Sequence, residues 1–158
     1  MLFRSYQQNY VPGVIKSVVT SQPGPLEAVT DYEFETPWPL PNSIYTNGSK
    51  LEQIGPNHFK VKWWMIKNNS ADETTGYAEF IPAKNNTTKL TYRSYVSPKN
   101  FLATFFKGRA KEDIKNTIMA IKLHIEMLKK DNSPLLKKYV QIIKDSLSNK
   151  YTYVPKKK

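Results

Sequence analysis

The sequence predicts an α+β fold in which a curved antiparallel β-sheet wraps around a long C-terminal helix, followed by an extra C-terminal helix. Three observations support this prediction. Segments rich in aromatic and β-branched residues alternate with period two between Phe59 and Phe101, with polar turns between them. A helical pattern begins only afterwards, at Lys111, and Pro134 opens a second and shorter one. Period-two alternation indicates strands with one buried face, and apolar spacings of three and four indicate amphipathic helices.

Composition limits the class of protein. A chain of 158 residues is the size of one domain, and 39% hydrophobic residues suffice for a core. The absence of cysteine excludes disulfides and thiolate metal sites. No apolar run approaches the ~20 residues that span a bilayer, and the N-terminus lacks a secretory apolar core. We therefore expect an intracellular, cytoplasmic protein, unless an upstream segment is missing.

The net charge of +11 is concentrated near the C-terminus, where residues 129–158 hold nine lysines and two aspartates. Lysine-rich helices and tails usually form a solvated face. A weak contact with an anionic membrane is the alternative that we keep for these lysines. We do not expect nucleic acid as a partner.

Two strands are expected near the N-terminus, at 14–21 and 26–36, with a Pro-Gly-Pro turn between them. The segment Thr36–Pro41 follows and contains three prolines, which lack the backbone donors that a central strand needs. We expect this segment to form a rigid corner with Trp38 at least half buried at one edge of the sheet.

The dipeptide Asn47-Gly48 predicts a hairpin, because it is the strongest short signal for a tight turn between strands. The flanking strands would then cover 43–46 and 50–54.

Three more strands are expected at 59–66, 76–82 and 89–98. Neighbouring Trp63 and Trp64 must face opposite sides of the sheet, because side chains alternate along a strand. Trp63 shares the parity of the apolar positions in its strand, so we expect it to face inward.

The long helix is predicted from Lys111 to Lys130. Its apolar stripe should lie against the concave side of the sheet. The stripe contains Ala110, Ile114, Ile118, Ile121, Ile125 and Leu128, and we expect the four isoleucines to be buried there. A second helix should start at Pro134 with Ser133 or Asn132 as its N-cap, and residues 151–158 should form a loose basic tail.

Several short elements, taken in order, resemble those of lipid-transfer START domains. Pro37-Trp38-Pro39-Leu40 resembles their proline–tryptophan–proline element. Residues of the late strands look like the paired strands of the same superfamily, namely Gly76, Phe80, Pro82, Thr88, Leu90, Tyr92 and Pro98-Lys99. From Val14 to Lys130 the chain thus resembles the START-like, polyketide-cyclase and birch-allergen superfamily (SRPBCC), which has the helix-grip fold. Members of the superfamily usually begin with a strand and a pair of short helices, whereas here only 13 residues precede the strand expected at Val14. Either the chain is a shortened version, or Met1 to Tyr10 is the remnant of the second helix.

The resemblance implies a domain at residues 1–130, shortened at its N-terminus, and an added basic helix and tail at 131–158. It also implies an apolar ligand between the concave face and the long helix. The candidate ligand-binding residues are Tyr32, Phe34, Val61, Trp63, Met65, Phe80, Tyr92, Ser94, Ile118, Ile121 and Ile125. Arg93 and Tyr95 are further polar candidates, of which Arg93 is expected to face the solvent. The alternative for the apolar members is a filled core without a ligand.

We predict no catalytic residue, no metal site and no cofactor. His58 and His124 are the only histidines, and neither belongs to a triad-like spacing, a metal-ligand cluster or a phosphate-binding glycine loop. The predicted function is non-catalytic binding, transport or sensing of a hydrophobic small molecule or lipid. One alternative is a cyclase- or dehydratase-like enzyme, which would need a titratable cluster inside the cavity. The other is a basic interaction module for anionic membrane or nucleic acid, which would need its lysines on one patch.

Overall fold

Antiparallel strands in sequence order form the body of the protein. The computed structural model describes residues 4–99 and 110–150. The strands are β1 (Val14–Ser21), β2 (Glu27–Phe34), β3 (Ser43–Gly55), β4 (His58–Asn68), β5 (Ala71–Ala83) and β6 (Thr87–Pro98). The helices are α1 (Ala110–Lys130) and α2 (Pro134–Leu147), with short 3₁₀ helices at Arg4–Asn9 and Lys84–Asn86.

Every strand pairs with the next strand along the chain, so the sheet is a meander of order β1-β2-β3-β4-β5-β6. This arrangement, followed by two helices, confirms the α+β fold class that the sequence predicts. Within the described part of the chain, no helix is both long and apolar enough to cross a membrane.

The predicted hairpin at Asn47-Gly48 is wrong. β3 continues through both residues, and Gly48 pairs with Val29 on β2 and Trp64 on β4. The indole of Trp64 lies where a Cβ of Gly48 would be. The glycine therefore makes room for an aromatic ring on the neighbouring strand and does not turn the chain.

The same arrangement recurs on the other face of the sheet. Trp63 lies directly opposite Gly76 on β5, and its indole fills the space that a Cβ of Gly76 would need. Trp63 is 7% exposed and Trp64 is 42% exposed, which confirms that they face opposite sides and that Trp63 faces inward.

β5 starts earlier than the expected strand at 76–82. The connection from β4 is a short turn, in which Oδ1 of Asn68 accepts hydrogen bonds from the backbone N–H groups of Ser70 (2.8 Å) and Ala71 (3.2 Å). The polar residues from Ala71 to Thr75 therefore belong to the strand. Their composition suggested a loop, but pairing with β6 determines their conformation.

The expected burial of Trp38 is wrong, since the residue is 91% exposed. The proline-rich segment forms a turn beyond the end of β2, in which the N–H of Leu40 donates to the carbonyl of Pro37 (3.1 Å). The flanking prolines restrict the backbone around Trp38, but a restricted backbone does not bury the side chain.

The second helix begins as predicted. Oγ of Ser133 accepts a hydrogen bond from the N–H of Leu135 (3.2 Å), and Pro134 occupies the first turn. Tyr139 and Ile142 are buried on its inner side. The expected basic tail at 151–158 lies outside the described residues.

We expect Gly76→Ala to destabilise the fold by about 1–3 kcal/mol, the usual cost of overpacking. The added Cβ would overlap with the Trp63 ring and the backbone carbonyl oxygen of Arg93. Urea unfolding followed by tryptophan fluorescence measures the free energy. Gly24→Ala is the matched control, because a Cβ there meets only the Glu27 side chain, at 3.8 Å. Equal losses in the two variants would contradict the expected collision.

Candidate functional site

A cavity of about 1730 Å³ lies between the concave face of the sheet and the helices. It exceeds the ~300–1,000 Å³ of ordinary small-molecule pockets. Its walls include residues 10–14 of the N-terminal segment, alternate residues of the strands, one face of α1, and Ile143 of α2. The cavity therefore has room for a molecule of lipid size.

The sheet contributes its lining through simple alternation. Successive side chains of a strand point to opposite faces, so every second residue can reach the cavity. On β3 these are Tyr45, Asn47, Ser49 and Leu51, and on β4 they are Phe59, Val61 and Trp63. The concave face is consequently mostly apolar and aromatic.

Nine of the sequence-predicted ligand-binding residues line this cavity. They are Tyr32, Phe34, Val61, Trp63, Phe80, Tyr92, Ser94, Ile121 and Ile125. The structure brings these residues together around one space. Their contact with a ligand stays a prediction.

Met65 and Ile118 are not among the lining residues. Met65 lies beside an irregularity in the β3–β4 pairing, where the register shifts between Thr46 and Asn47. On α1, Thr117 lines the cavity and Ile118 does not. Adjacent helical residues point about 100° apart, as expected from 3.6 residues per turn. The rotation of the helix thus decided which of these two residues faces the cavity.

Arg93 and Tyr95 are exposed and do not line the cavity, whereas Ser94 between them does. The two candidates border a shallow depression on the other face of β4–β6, together with Trp64 and Tyr77. A polar role inside the cavity is therefore wrong for Tyr95, and the expectation that Arg93 faces the solvent is confirmed, because strand alternation places both residues outside.

Aromatic pairs stiffen the concave face. The rings of Tyr32 and Tyr45 stack across β2 and β3 with centroids 5.0 Å apart. Trp63 and Tyr92 lie 5.0 Å apart with a tilt of 35°. Such cross-strand contacts position large side chains without filling the space in front of them.

The apolar stripe of α1 faces this space instead of packing firmly on the sheet. None of Ile114, Ile118, Ile121 and Ile125 is fully buried, and all except Ile118 line the cavity. Leu128, near the end of the helix, is buried. The predicted burial of the four isoleucines against the sheet is thus only partial, because the cavity separates the two surfaces.

Asn47 and Ser49 are lining residues that the sequence analysis missed. They are 6% and 4% exposed. The hairpin signal concealed them, since it split β3 into two short strands. Reading 43–55 as one alternating strand would have placed both on the concave face with Tyr45 and Leu51.

Charged groups at the cavity are few in the part of the chain that the structure describes. The lining includes two carboxylates, Glu35 and Asp113, and both are exposed. Across residues 4–99 and 110–150, no three His, Asp or Glu side chains cluster closely enough to hold a metal ion.

Comparison with solved structures identifies the fold. No protein-family model matches the sequence, and no curated protein matches it. A solved structure of a STAR-related lipid transfer protein from Xanthomonas axonopodis matches with a TM-score of 0.67 at 15% identity, over 78% of this chain and 73% of that one. The fold is START-like.

Two further solved structures agree with this assignment. Human STARD10 matches with a TM-score of 0.63 at 14% identity, over 80% of this chain and 57% of that one. The protein TTHA0849 from Thermus thermophilus matches with a TM-score of 0.59 at 8% identity, over 76% of this chain and 77% of that one. The superfamily resemblance noted in the sequence is thus confirmed at the level of the fold.

In this START-like fold, the N-terminal segment is joined to α1 by a ring contact. Tyr10 stacks on His124 with centroids 4.2 Å apart and planes 7° apart. Nε2 of His124 is buried, with no hydrogen-bond partner among the described residues. Burial lowers the pKa of His124, because desolvation disfavours the imidazolium.

We expect Ile121→Ala to cost less than about 1 kcal/mol, since the residue faces an open cavity. Ile142→Ala is the matched control: Ile142 is 7% exposed, and its truncation should cost about 2–5 kcal/mol. Chemical denaturation measures both free energies. A loss at Ile121 as large as at Ile142 would contradict the open cavity.

We expect the free energy of unfolding to decrease as the pH is lowered below the usual histidine pKa of about 6.5. Because folding lowers the pKa of His124, the unfolded chain binds the proton more readily, and acid favours unfolding. His124→Phe keeps a ring on Tyr10 but cannot titrate, so its melting temperature should fall less between pH 7.5 and pH 5. Leu123→Phe serves as the control, because it places a phenylalanine at an exposed position of the same helix and removes no titratable group, so it should keep the wild-type dependence. Identical profiles for wild type and His124→Phe would contradict this role of His124.

Proposed function

We propose that this START-like protein binds, transports or senses a hydrophobic small molecule or lipid in the cavity between the sheet and α1, without catalysis. The observation that carries the proposal is the cavity itself, about 1730 Å³ in volume, with aromatic and aliphatic side chains on both walls. Burial of a ligand's apolar surface against such walls contributes about 25 cal/mol per Å² before the costs of association.

The solved structures support the same proposal. The Xanthomonas axonopodis protein is named a STAR-related lipid transfer protein. At 15% identity the likeness concerns the fold. Its value is that a protein of similar fold carries a lipid-transfer name.

Binding is favoured over acid–base chemistry by the kind of lining. General acid–base catalysis needs titratable groups positioned close to the reacting atoms. The carboxylates Glu35 and Asp113 are exposed, while the enclosed part of the described lining is aromatic, aliphatic or neutral polar.

We place the ligand-binding domain at residues 1–130 and treat 131–158 as an added element. Ile143 of α2 lines the cavity, so the added helix contributes to its wall.

We further propose that the C-terminal lysines make a weak contact with anionic membrane. In support, Lys137 and Lys144 are exposed and lie on the side of α2 opposite the buried Tyr139, as helical spacing requires.

Two bulky residues introduced from opposite walls should impair binding. We expect Ala78→Trp combined with Thr117→Trp to lower the affinity for Nile red, a neutral apolar dye, by at least about tenfold, because both positions line the cavity. The matched control, Ile54→Trp with Met119→Trp, introduces two tryptophans at exposed positions of β3 and α1.

Fluorescence titration measures the affinities, and native mass spectrometry of the purified wild type should reveal a bound apolar molecule. Absence of saturable Nile red binding to delipidated wild type would contradict the proposed function. Equal loss of binding in both double variants would show that the dye binds elsewhere.

A further inference from the structure

Asn47 is an unusual residue for the middle of an apolar concave face. It lies on β3 between Tyr45 and Ser49, all three line the cavity, and Asn47 itself is 6% exposed. Buried polar side chains are nearly always hydrogen-bonded, so an exception needs an explanation.

The amide oxygen of Asn47 is such an exception. Oδ1 is buried and has no hydrogen-bond partner anywhere in residues 4–99 and 110–150. Its cross-strand neighbours are Thr30 on β2 and Met65 on β4. The Thr30 hydroxyl makes no hydrogen bond to it, and a methionine side chain has no proton to donate.

Ser49 is the nearest polar lining residue along the strand, and it cannot donate to Asn47 either. Its hydroxyl donates to the backbone carbonyl of Ala28 (3.3 Å). A hydroxyl has one proton, so Oγ of Ser49 retains only acceptor capacity toward the cavity. Asn47 and Ser49 therefore both present acceptors that lack a donor.

The polar lining groups beside the β4–β5 turn satisfy one another. The hydroxyl oxygens of Ser43 and Ser70 lie 2.5 Å apart. The Ser70 hydroxyl lies 2.9 Å from Oδ1 of Asn68, which also caps the β4–β5 turn. Among the lining residues that the structure describes, Asn47 is the one with a buried side-chain oxygen or nitrogen that lacks a hydrogen-bond partner.

The chemistry of a matching ligand group follows from these atoms. The group must donate a hydrogen bond, which excludes ethers, ketones and ionised carboxylates. It should be neutral, because the carboxylates of the described lining, Glu35 and Asp113, are exposed and cannot offset a buried cation. A hydroxyl group meets both requirements, and its oxygen can also accept a hydrogen bond from the amide N–H of asparagine.

We propose that Asn47 is the polar anchor of the cavity and accepts a hydrogen bond from the hydroxyl group of an otherwise apolar ligand. The amide can turn toward this group, because the terminal torsion of asparagine has a broad energy minimum. The assignment rests on the proposed function, since it requires an apolar ligand in the cavity. It extends that function by specifying the class of ligand, an apolar alcohol.

The test compares two probes that differ in one proton. Dodecanol and methyl dodecyl ether compete with Nile red for the delipidated wild-type protein. Dodecanol should displace the dye at about tenfold lower concentration than the ether, because a site with unmet acceptors penalises a ligand that has no donor. In Asn47→Leu, which is similar in size and has no amide, the two probes should displace the dye equally.

Two additional variants separate anchoring from a structural role. Asn47→Ala removes the amide without adding branched bulk, and the preference for the alcohol must disappear there too. Asn9→Leu makes the same exchange at an exposed position outside the cavity lining and should keep the wild-type preference. Asn47→Leu should also raise the melting temperature of the ligand-free protein, because it replaces an unpaired buried amide with an apolar group.

The outcomes distinguish this inference from the proposed function. Wild-type protein that does not bind Nile red would overturn both. Saturable dye binding with equal displacement by the alcohol and the ether would overturn the anchor alone. The same holds if the preference for the alcohol persists in both Asn47 variants, or if Asn47→Leu lowers the melting temperature.

Discussion

The pairing of each central tryptophan with a glycine on an adjacent strand is the constraint on which the rest of the sheet depends. Trp63 and Trp64 are consecutive, so their rings must lie on opposite faces, and each ring covers a glycine directly across the ladder. These contacts fix the register of β4 with both neighbours. A slip by one residue would place each indole against a Cβ and reverse the faces of the strand.

With the register fixed, one face of the meander becomes concave and aromatic while α1 remains at a distance from it. The helix is joined to the rest at particular points, such as the stack of His124 on Tyr10 and the buried Leu128. The isoleucines between these points are only partly buried. Burial of this apolar surface would stabilise the fold, and the empty protein lacks that stabilisation. A bound apolar molecule would supply it, to an extent set by the concentration and affinity of the molecule.

Asn47 is a second position at which the empty fold is less stable than it could be. An apolar residue at its position would pack without an unmet hydrogen bond, so the empty fold gains nothing evident from the amide. Local rules of stability are commonly broken at functional sites, where the missing partner is a ligand. The position of this amide on the cavity wall is therefore more informative about ligand chemistry than the apolar residues around it, since those would accept almost any hydrophobic molecule.

The sequence by itself determined the strand–helix order, the inward direction of Trp63 and most of the apolar lining, because alternation and helical spacing are local properties of the chain. It also determined the capped start of α2 through Ser133 and Pro134.

Tertiary structure decided the features in which distant residues compete with local preference. Asn47-Gly48 favours a turn in isolation, but pairing on both sides and the Trp64 ring keep it extended. Trp38 lies in a proline-rich segment that suggests a buried anchor, yet its side chain is 91% exposed. The rotation of α1, which exposes Thr117 instead of Ile118 to the cavity, depends on packing that no periodicity encodes.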